Sequence, residues 1–213
     1  MRILVLHNHY RLPGGEDSVV RDEIRLLRER HNEVYYYEKT NREIDDFPLY
    51  RKIGAALHIK YSKQSYMDVK TIIHKFRPDV AHFHNIFFMI TPSAYFACKE
   101  AKVPVVQTMH NFRLFSPTGL LFPNSVDPKD YKECQYGFFR KKVIERMLRY
   151  HWRLNTWNNY VDQYIVLSEF ARQQYMEAGI IPEKLIIKPN FVFSEEKNIS
   201  RGDYILYVGR LSK

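Results

Sequence analysis

The chain has 213 residues, room for one large α/β domain or for one domain and part of a second. A hydrophobic fraction of 45%, with 14 Phe and 16 Tyr, excludes a disordered or low-complexity chain. The formal net charge of +9 favours an anionic partner (phosphate groups, an acidic membrane surface or nucleic acid) without choosing among them.

Arg2 to Leu6 reads as a first strand, buried on both faces because Ile3-Leu4-Val5-Leu6 is continuously apolar. This run is too short for a signal peptide, no stretch reaches the roughly 18 apolar residues of a membrane span, and the chain is expected in the cytoplasm. His7 to Ser18 reads as a loop whose Gly14-Gly15 can take positive φ and let a ligand approach the backbone. Val20, Ile24 and Leu27 recur at helical spacing, so a helix begins near Glu16 or Asp17. A strand, a glycine loop and a helix N-terminus form either an ordinary βα connection or an anion site. The loop is not the G-x-G-x-x-G fingerprint, which argues against a nicotinamide enzyme.

Val34 to Tyr37 is a second strand, and residues 51–60 read as a basic helical piece. Ser65 is expected to cap a helix carrying Val69, Ile72, Ile73 and Phe76, stopped by Pro78. Asp79 to His84 is the third strand, in which His82 and His84 project from one side. They are either half of a metal site or cleft-lining, hydrogen-bonded histidines, and no third ligand is evident nearby in the sequence.

Pro92 at a first helical position opens a helix whose Ala94, Ala97, Cys98 and Ala101 suit close packing on a sheet. Cys98 reads as core. Cys134 lies far from it, in no metal-ligand spacing, so both are expected as free thiols in a reducing compartment. Val103 to Val106 is a fourth strand, leading to Thr108-Met109-His110-Asn111 and a loop with Arg113, Ser116 and Thr118. A polar group at the carboxyl end of such a strand sits where open α/β sheets bind ligands.

Phe138 to Tyr160 is helical and two-faced, with Val143, Ile144, Met147, Leu148 and Trp152 opposite Lys142, Arg146, Arg149 and Arg153. The basic stripe is either a solvated face or a peripheral contact with an anionic membrane. Gln163 to Leu167 is a fifth strand, followed by a helix capped by Ser168 and ended by Gly179. Leu185 to Ile187 is a sixth, and a further strand is expected at Tyr204 to Val208.

The alternation implies an α/β fold, a Rossmann-like doubly wound parallel sheet. Onto it fall the G-G-E-D-S loop, P-D-V-A-H-F-H-N (78–85), P-V-V-Q-T-M-H-N (104–111), V-L-S-E-F (166–170), K-P-N (188–190) and V-G-R-L (208–211). The series resembles the N-terminal half of the family 4 retaining glycosyltransferases of GT-B fold, over almost the whole chain. In some relatives cysteines follow the H-N motif; here Ser116 stands at the first such place, so a structural metal knuckle is unsupported.

The resemblance implies an acceptor-binding domain over residues 1–195, then a linker and the truncated start of a donor-binding domain over 196–213. It implies transfer of a hexose-type sugar from a nucleotide-sugar to a glycan or lipid-linked acceptor in polysaccharide biosynthesis, without cofactor or metal. His110 corresponds to the histidine that approaches the transferred sugar, and Arg210 to the arginine on the donor diphosphate, which suits a guanidinium fork. Gly14, Gly15, Glu16, His84, Asn85, Asn111, Arg113 and Ser168 are the expected substrate-binding residues. Such a half is expected to be inactive alone, because the donor is held elsewhere. Alternatives are another GT-B enzyme such as a sugar-nucleotide epimerase, or a basic nucleic-acid-binding module. RNA-binding aromatic signatures are missing, so no nucleic acid is expected.

Overall fold

The apolar runs of the sequence pair as six parallel strands in the order β2-β1-β3-β4-β5-β6. The computed structural model describes residues 1–10, 14–48, 50, 54, 58–117, 119, 121, 138–193, 202, 203 and 205. The strands are β1 (Arg2–His9), β2 (Glu33–Thr40), β3 (Val80–Phe83), β4 (Val105–Met109), β5 (Gln163–Val166) and β6 (Leu185–Ile187). The helices are α1 (Gly15–Glu29), α2 (Glu43–Asp46), α3 (Lys63–Phe76), α4 (Ser93–Glu100), α5 (Phe138–Arg153), α6 (Thr156–Tyr160) and α7 (Glu169–Glu177). The expected Rossmann-like parallel α/β sheet is therefore present. Every strand delivers its carboxyl end to the same edge, because each pair is parallel.

Two separate apolar layers explain why the strands are buried on both faces. Leu4, Leu6, Ala81, Phe83, Val105, Tyr164 and Val166 pack with α3 to α7 in the larger one. Ile3 and Val5 pack with Val20 and Ile24 of α1 in the smaller one. Trp157 and Tyr164 are fully buried in the larger layer, where the Tyr164 hydroxyl donates to Trp157 O at 2.9 Å. Cys98 is core, as expected, and burial pushes its thiol up to about 12.

Several boundaries differ from the sequence reading. β1 runs on to His9, so the histidines first read as loop belong to the strand and pair in register with β2. α3 is capped by Ser62, whose Oγ accepts Ser65 N–H at 3.2 Å; Ser65 itself lies inside the first turn. Pro92 is the cap of α4 rather than its first residue, and Ala101 closes that helix on its exposed side. The long helix read to Tyr160 breaks at Asn155, which takes φ 50, because Leu154 and Asn155 turn the chain so that Trp157 can enter the core. Neither Gly14 nor Gly15 uses positive φ: Gly14 is extended and Gly15 opens α1. Most of the basic piece at 51–60, Thr118, Cys134 and most of the strand read at 204–208 lie outside the described residues.

Candidate functional site

Side chains alternate across a strand, so residues two apart share a face. Ile3 and Val5 face α1; therefore His7 and His9 do as well. By the same alternation, from Val80 on the α1 side, His82 and then His84 face α1, and Val5 pairs with His82 in register. Thr108 joins this face, its Oγ1 lying 2.8 Å from His82 Nε2. The α1 side of the sheet is thus apolar at its amino half and turns polar toward its carboxyl edge. Glu23 of α1 is buried over that polar half.

At the end of β1, Asp17 ties two imidazoles together. Its Oδ1 lies 2.9 Å from His7 Nε2 and 2.8 Å from His9 Nδ1, and its Oδ2 accepts Gly14 N–H at 2.8 Å. Burial would raise this carboxyl, but the bonds from His7, Gly14 and His9 outweigh it and hold the group below its ordinary value. His9 Nε2 also lies 3.0 Å from both Glu38 Oε2 and the Tyr36 hydroxyl. Of the two readings of the Gly14-Gly15 loop, ordinary βα connection or anion site, the second would bring an anion against the chain's own carboxylates, Glu16 and Asp17 in the first turn of α1.

Glu16 Oε1 lies 3.9 Å from His7 Nδ1, and its side chain lines a narrow cleft of about 20 Å³ with His84, Asn85, His110, Asn111 and Arg113. Burial raises its carboxyl to about 7, against the Tyr10 hydrogen bond and the Arg113 charge, which lower it. The Tyr10 hydroxyl is a junction: it accepts from Asn111 Nδ2 and from Arg113 Nη1, each at 3.0 Å. Gly119 takes φ +79 beside Asn111 and Arg113, and its carbonyl accepts Phe112 N–H at 3.2 Å. A residue with a Cβ would be strained there. A Cβ on Gly14 or Gly15 would meet nothing within 4 Å, so those two glycines leave open space beside the backbone.

His110, just past β4, stacks on His84 with ring centroids 5.3 Å apart, and its Nε2 lies 3.0 Å from His84 Nδ1. Burial, with His7 close by, pushes His110 down to about 4. Burial, aided by His82, His110 and His7, holds His84 well below its ordinary value. Both rings are therefore neutral at pH 7. Behind them, Glu23 Oε2 lies 3.5 Å from His84 Nε2, and Lys188 Nζ donates to Glu23 Oε1 at 2.6 Å.

A buried amide scaffold holds this edge. The side-chain amides of Asn8, Asn41 and Asn85 converge on Phe87 O at 2.6, 3.0 and 3.3 Å. Their oxygens accept Met89, Phe88 and Phe87 N–H in turn, each at 3.0 Å. Gln107 donates to the His84 carbonyl and accepts the Tyr95 hydroxyl at 2.6 Å. Tyr175 donates to the Asn111 carbonyl, and Trp152 Nε1 to Leu114 O at 2.9 Å.

The structure brings Glu16, His84, Asn85, His110, Asn111 and Arg113 together at one cleft, with Gly14 and Gly15 at the adjoining helix start. Asn85 lines it while spending its side chain on Asn8 O and the Phe87 backbone, a bracing role. Ser168 stands apart, at the end of β5, with its Oγ accepting Ala171 N–H as the cap of α7. Arg210 lies outside the described residues. The sequence reading missed Asp17, Glu23 and Lys188, and it found no third partner for His82 and His84; Glu23 is that partner. Only the spacing of Glu23 from Val20 and Leu27 on α1 hinted that it faces the sheet. Among the described residues two groups have metal-ligand proximity, His7-His9-Asp17 and Glu23-His82-His84. The carboxylate of each is already engaged, by the two imidazoles and Gly14 in one and by Lys188 in the other.

A family model described as Glycosyltransferase Family 4 matches residues 13–196. No curated protein matches the sequence. Among solved structures, the chain is similar to the S. aureus MnaA–UDP co-structure (11% identity, TM-score 0.49, 89% of this chain and 44% of that one). It is similar to UDP-GlcNAc 2-epimerase from Methanocaldococcus jannaschii (11%, 0.49, 89% and 46%) and to Anabaena Alr3699/HepE in complex with UDP-glucose (18%, 0.45, 89% and 44%). The chain spans less than half the length of these structures.

Proposed function

Because the chain belongs to glycosyltransferase family 4, we propose that it forms the acceptor-side half of a retaining, nucleotide-sugar-dependent transferase moving a hexose-type sugar onto a glycan or lipid-linked acceptor. The observation that carries this reading is the convergence of Glu16, His110, Asn111 and Arg113 around a narrow cleft of about 20 Å³ at the carboxyl edge of a parallel sheet, the edge at which such sheets bind ligands. His110 presents a neutral imidazole to a sugar, and Arg113 supplies positive charge. A second cleft of about 490 Å³ opens beside it, lined by His9, Tyr10, Asp17, Glu38, Thr40 and Arg42 among others. Its mixed carboxylate, hydroxyl and guanidinium lining suits a polyhydroxylated acceptor.

Departure of the nucleotide diphosphate needs positive charge. In this reading Arg210 supplies it and no metal takes part. Chelator treatment is then expected to leave activity unchanged. The exposed stripe of Lys142, Arg146, Arg149 and Arg153 gives a peripheral contact with anionic lipid at the cytoplasmic face, where polysaccharide precursors would be met. Since Ile144, Met147 and Leu148 of the same helix are buried in the core, that contact is electrostatic, without insertion. No helix among the described residues is long and apolar enough to cross a membrane.

The test is transfer from a panel of nucleotide-sugars to glycan and lipid-linked acceptors, run with this chain and with any longer product of the gene. Transfer by the longer product and little by this chain is expected, since positioning the donor accounts for several powers of ten in rate. Epimerised nucleotide-sugar formed without acceptor would replace the transferase reading by an epimerase one.

A further inference from the structure

The K-P-N segment after β6 sends Lys188 back under the sheet edge to Glu23, and this contact has no part in the cleft itself. It opens a series of polar atoms that runs from the half-exposed Lys188 to the buried Glu23 and His84: Lys188 Nζ to Glu23 Oε1 at 2.6 Å, Glu23 Oε2 to His84 Nε2 at 3.5 Å, His84 Nδ1 to His110 Nε2 at 3.0 Å. His84 Nε2 is fully buried and makes no hydrogen bond; the Glu23 carboxylate is the charge it faces. A lone pair turned toward that carboxylate would be repelled, whereas an N–H turned toward it is attracted. The single proton of neutral His84 therefore sits on Nε2, and Nδ1 is left as an acceptor. Nδ1 can only accept the proton of His110 Nε2. His110 Nδ1 then carries a lone pair on the side left to the cleft.

We infer that Glu23 and His84, anchored by Lys188, are positioning residues that fix the tautomer of His110 so that its Nδ1 is an acceptor for a substrate hydroxyl. The inference rests on the reading that His110 borders the sugar site, and it adds the polarity of the recognition: a hydroxyl donates to His110, and a carbonyl or phosphate oxygen is refused. An imidazole held in one tautomer needs a partner on its other nitrogen, a requirement that His84 meets directly and Glu23 meets at one remove.

The tautomers are read by long-range ¹H–¹⁵N correlation spectra of the imidazoles in the ligand-free full chain. Both His84 and His110 are expected as Nε2–H, with coupling through the hydrogen bond from His110 Nε2 to His84 Nδ1. In Glu23→Gln the Lys188 ammonium keeps the amide oxygen, so the amide NH₂ faces His84 Nε2 and donates. The series inverts, and both rings are expected as Nδ1–H. Binding of a nucleotide-sugar to the complete enzyme should then weaken roughly tenfold, the worth of one hydrogen bond. Wild-type His110 found as Nδ1–H, or a folded Glu23→Gln variant with His110 unchanged, overturns the proposal. If Glu23→Gln does not fold, the wild-type tautomers and coupling decide alone. Failure of every nucleotide-sugar to bind, with the tautomers as stated, supports the relay and overturns the transferase reading.

Discussion

Asp17 Oδ1 lies 2.9 Å from His7 Nε2, so the first turn of α1 is fastened by a carboxylate to the last turn-side residues of β1. The same carboxylate bonds His9 at 2.8 Å and closes the helix cap through Gly14 N–H at 2.8 Å. Asp17→Ala removes the cap and strips the half-buried charge from two imidazoles. A cap is worth about 1 kcal/mol and a hydrogen bond to a charged group about 1.5 to 3, so a loss of about 3 kcal/mol is expected. Urea unfolding measures it. A loss no larger than that of an ordinary cap substitution would mean that the two histidines contribute nothing.

Glu16 carries a pH signature. Its carboxyl rises from 4.5 to about 7 through burial, so the folded state holds the proton more tightly than the unfolded one. The associated stability is complete below 4.5 and is lost as pH rises through about 7. Glu16→Gln keeps the shape without the charge, and should gain on the wild type by roughly 3 kcal/mol between about pH 5 and about pH 9. The same ionisation puts a negative charge beside the proposed sugar site, so binding of a nucleotide-sugar, itself an anion, should weaken above about pH 7 in the wild type and not in the variant. A difference in stability that is the same at every pH would show that Glu16 titrates as an ordinary surface acid.

Acid acts through the buried histidines. His151 is enclosed, with its ring nitrogens 3.0 Å from Thr156 Oγ1 and 2.9 Å from Lys60 O, and burial pushes it down to about 4. A depressed imidazole contributes stability that is complete above 6.5 and is lost as pH falls through about 4. His110 titrates in the same direction, also to about 4. His151→Gln should be less stable than the wild type at neutral pH, yet lose less on acidification, by on the order of 3 kcal/mol. Unfolding free energies at a series of pH values test this. Parallel curves for the two proteins would remove His151 from the acid transition.

The basic stripe gives a charge prediction. Lys142, Arg146, Arg149 and Arg153 are exposed on one face of α5, so co-sedimentation with acidic vesicles should occur and decline with added salt. A variant with these four charges reversed should stay in the supernatant while keeping its thermal midpoint, since the buried face of α5 is untouched. Equal pelleting of both proteins would remove the membrane contact from the proposed function.

The strands, the parallel sheet and most helix spans were legible in the sequence because they follow from local pattern: continuous apolar runs make two-faced strands, and Val69, Ile72, Ile73 and Phe76 share a helix face whatever the tertiary contacts. His110, Asn111, Arg113 and Glu16 could be marked as neighbours, since parallel connection brings the ends of β1 and β4 to one edge. What the sequence could not supply was partnership across it. Glu23 reads as one more polar residue of an amphipathic helix, and Lys188 lies 165 residues away; only the packing of α1 across the ends of β1 and β3 makes them face each other and His84. The extension of β1 to His9 escaped for a related reason: polar residues in a strand look like loop until pairing with β2 shows where their backbone bonds go. Local pattern decides which elements form, because it acts through backbone geometry and burial. The protonation and roles of the buried polar groups depend on desolvation and on charges a few ångströms away, and those exist only in the assembled fold.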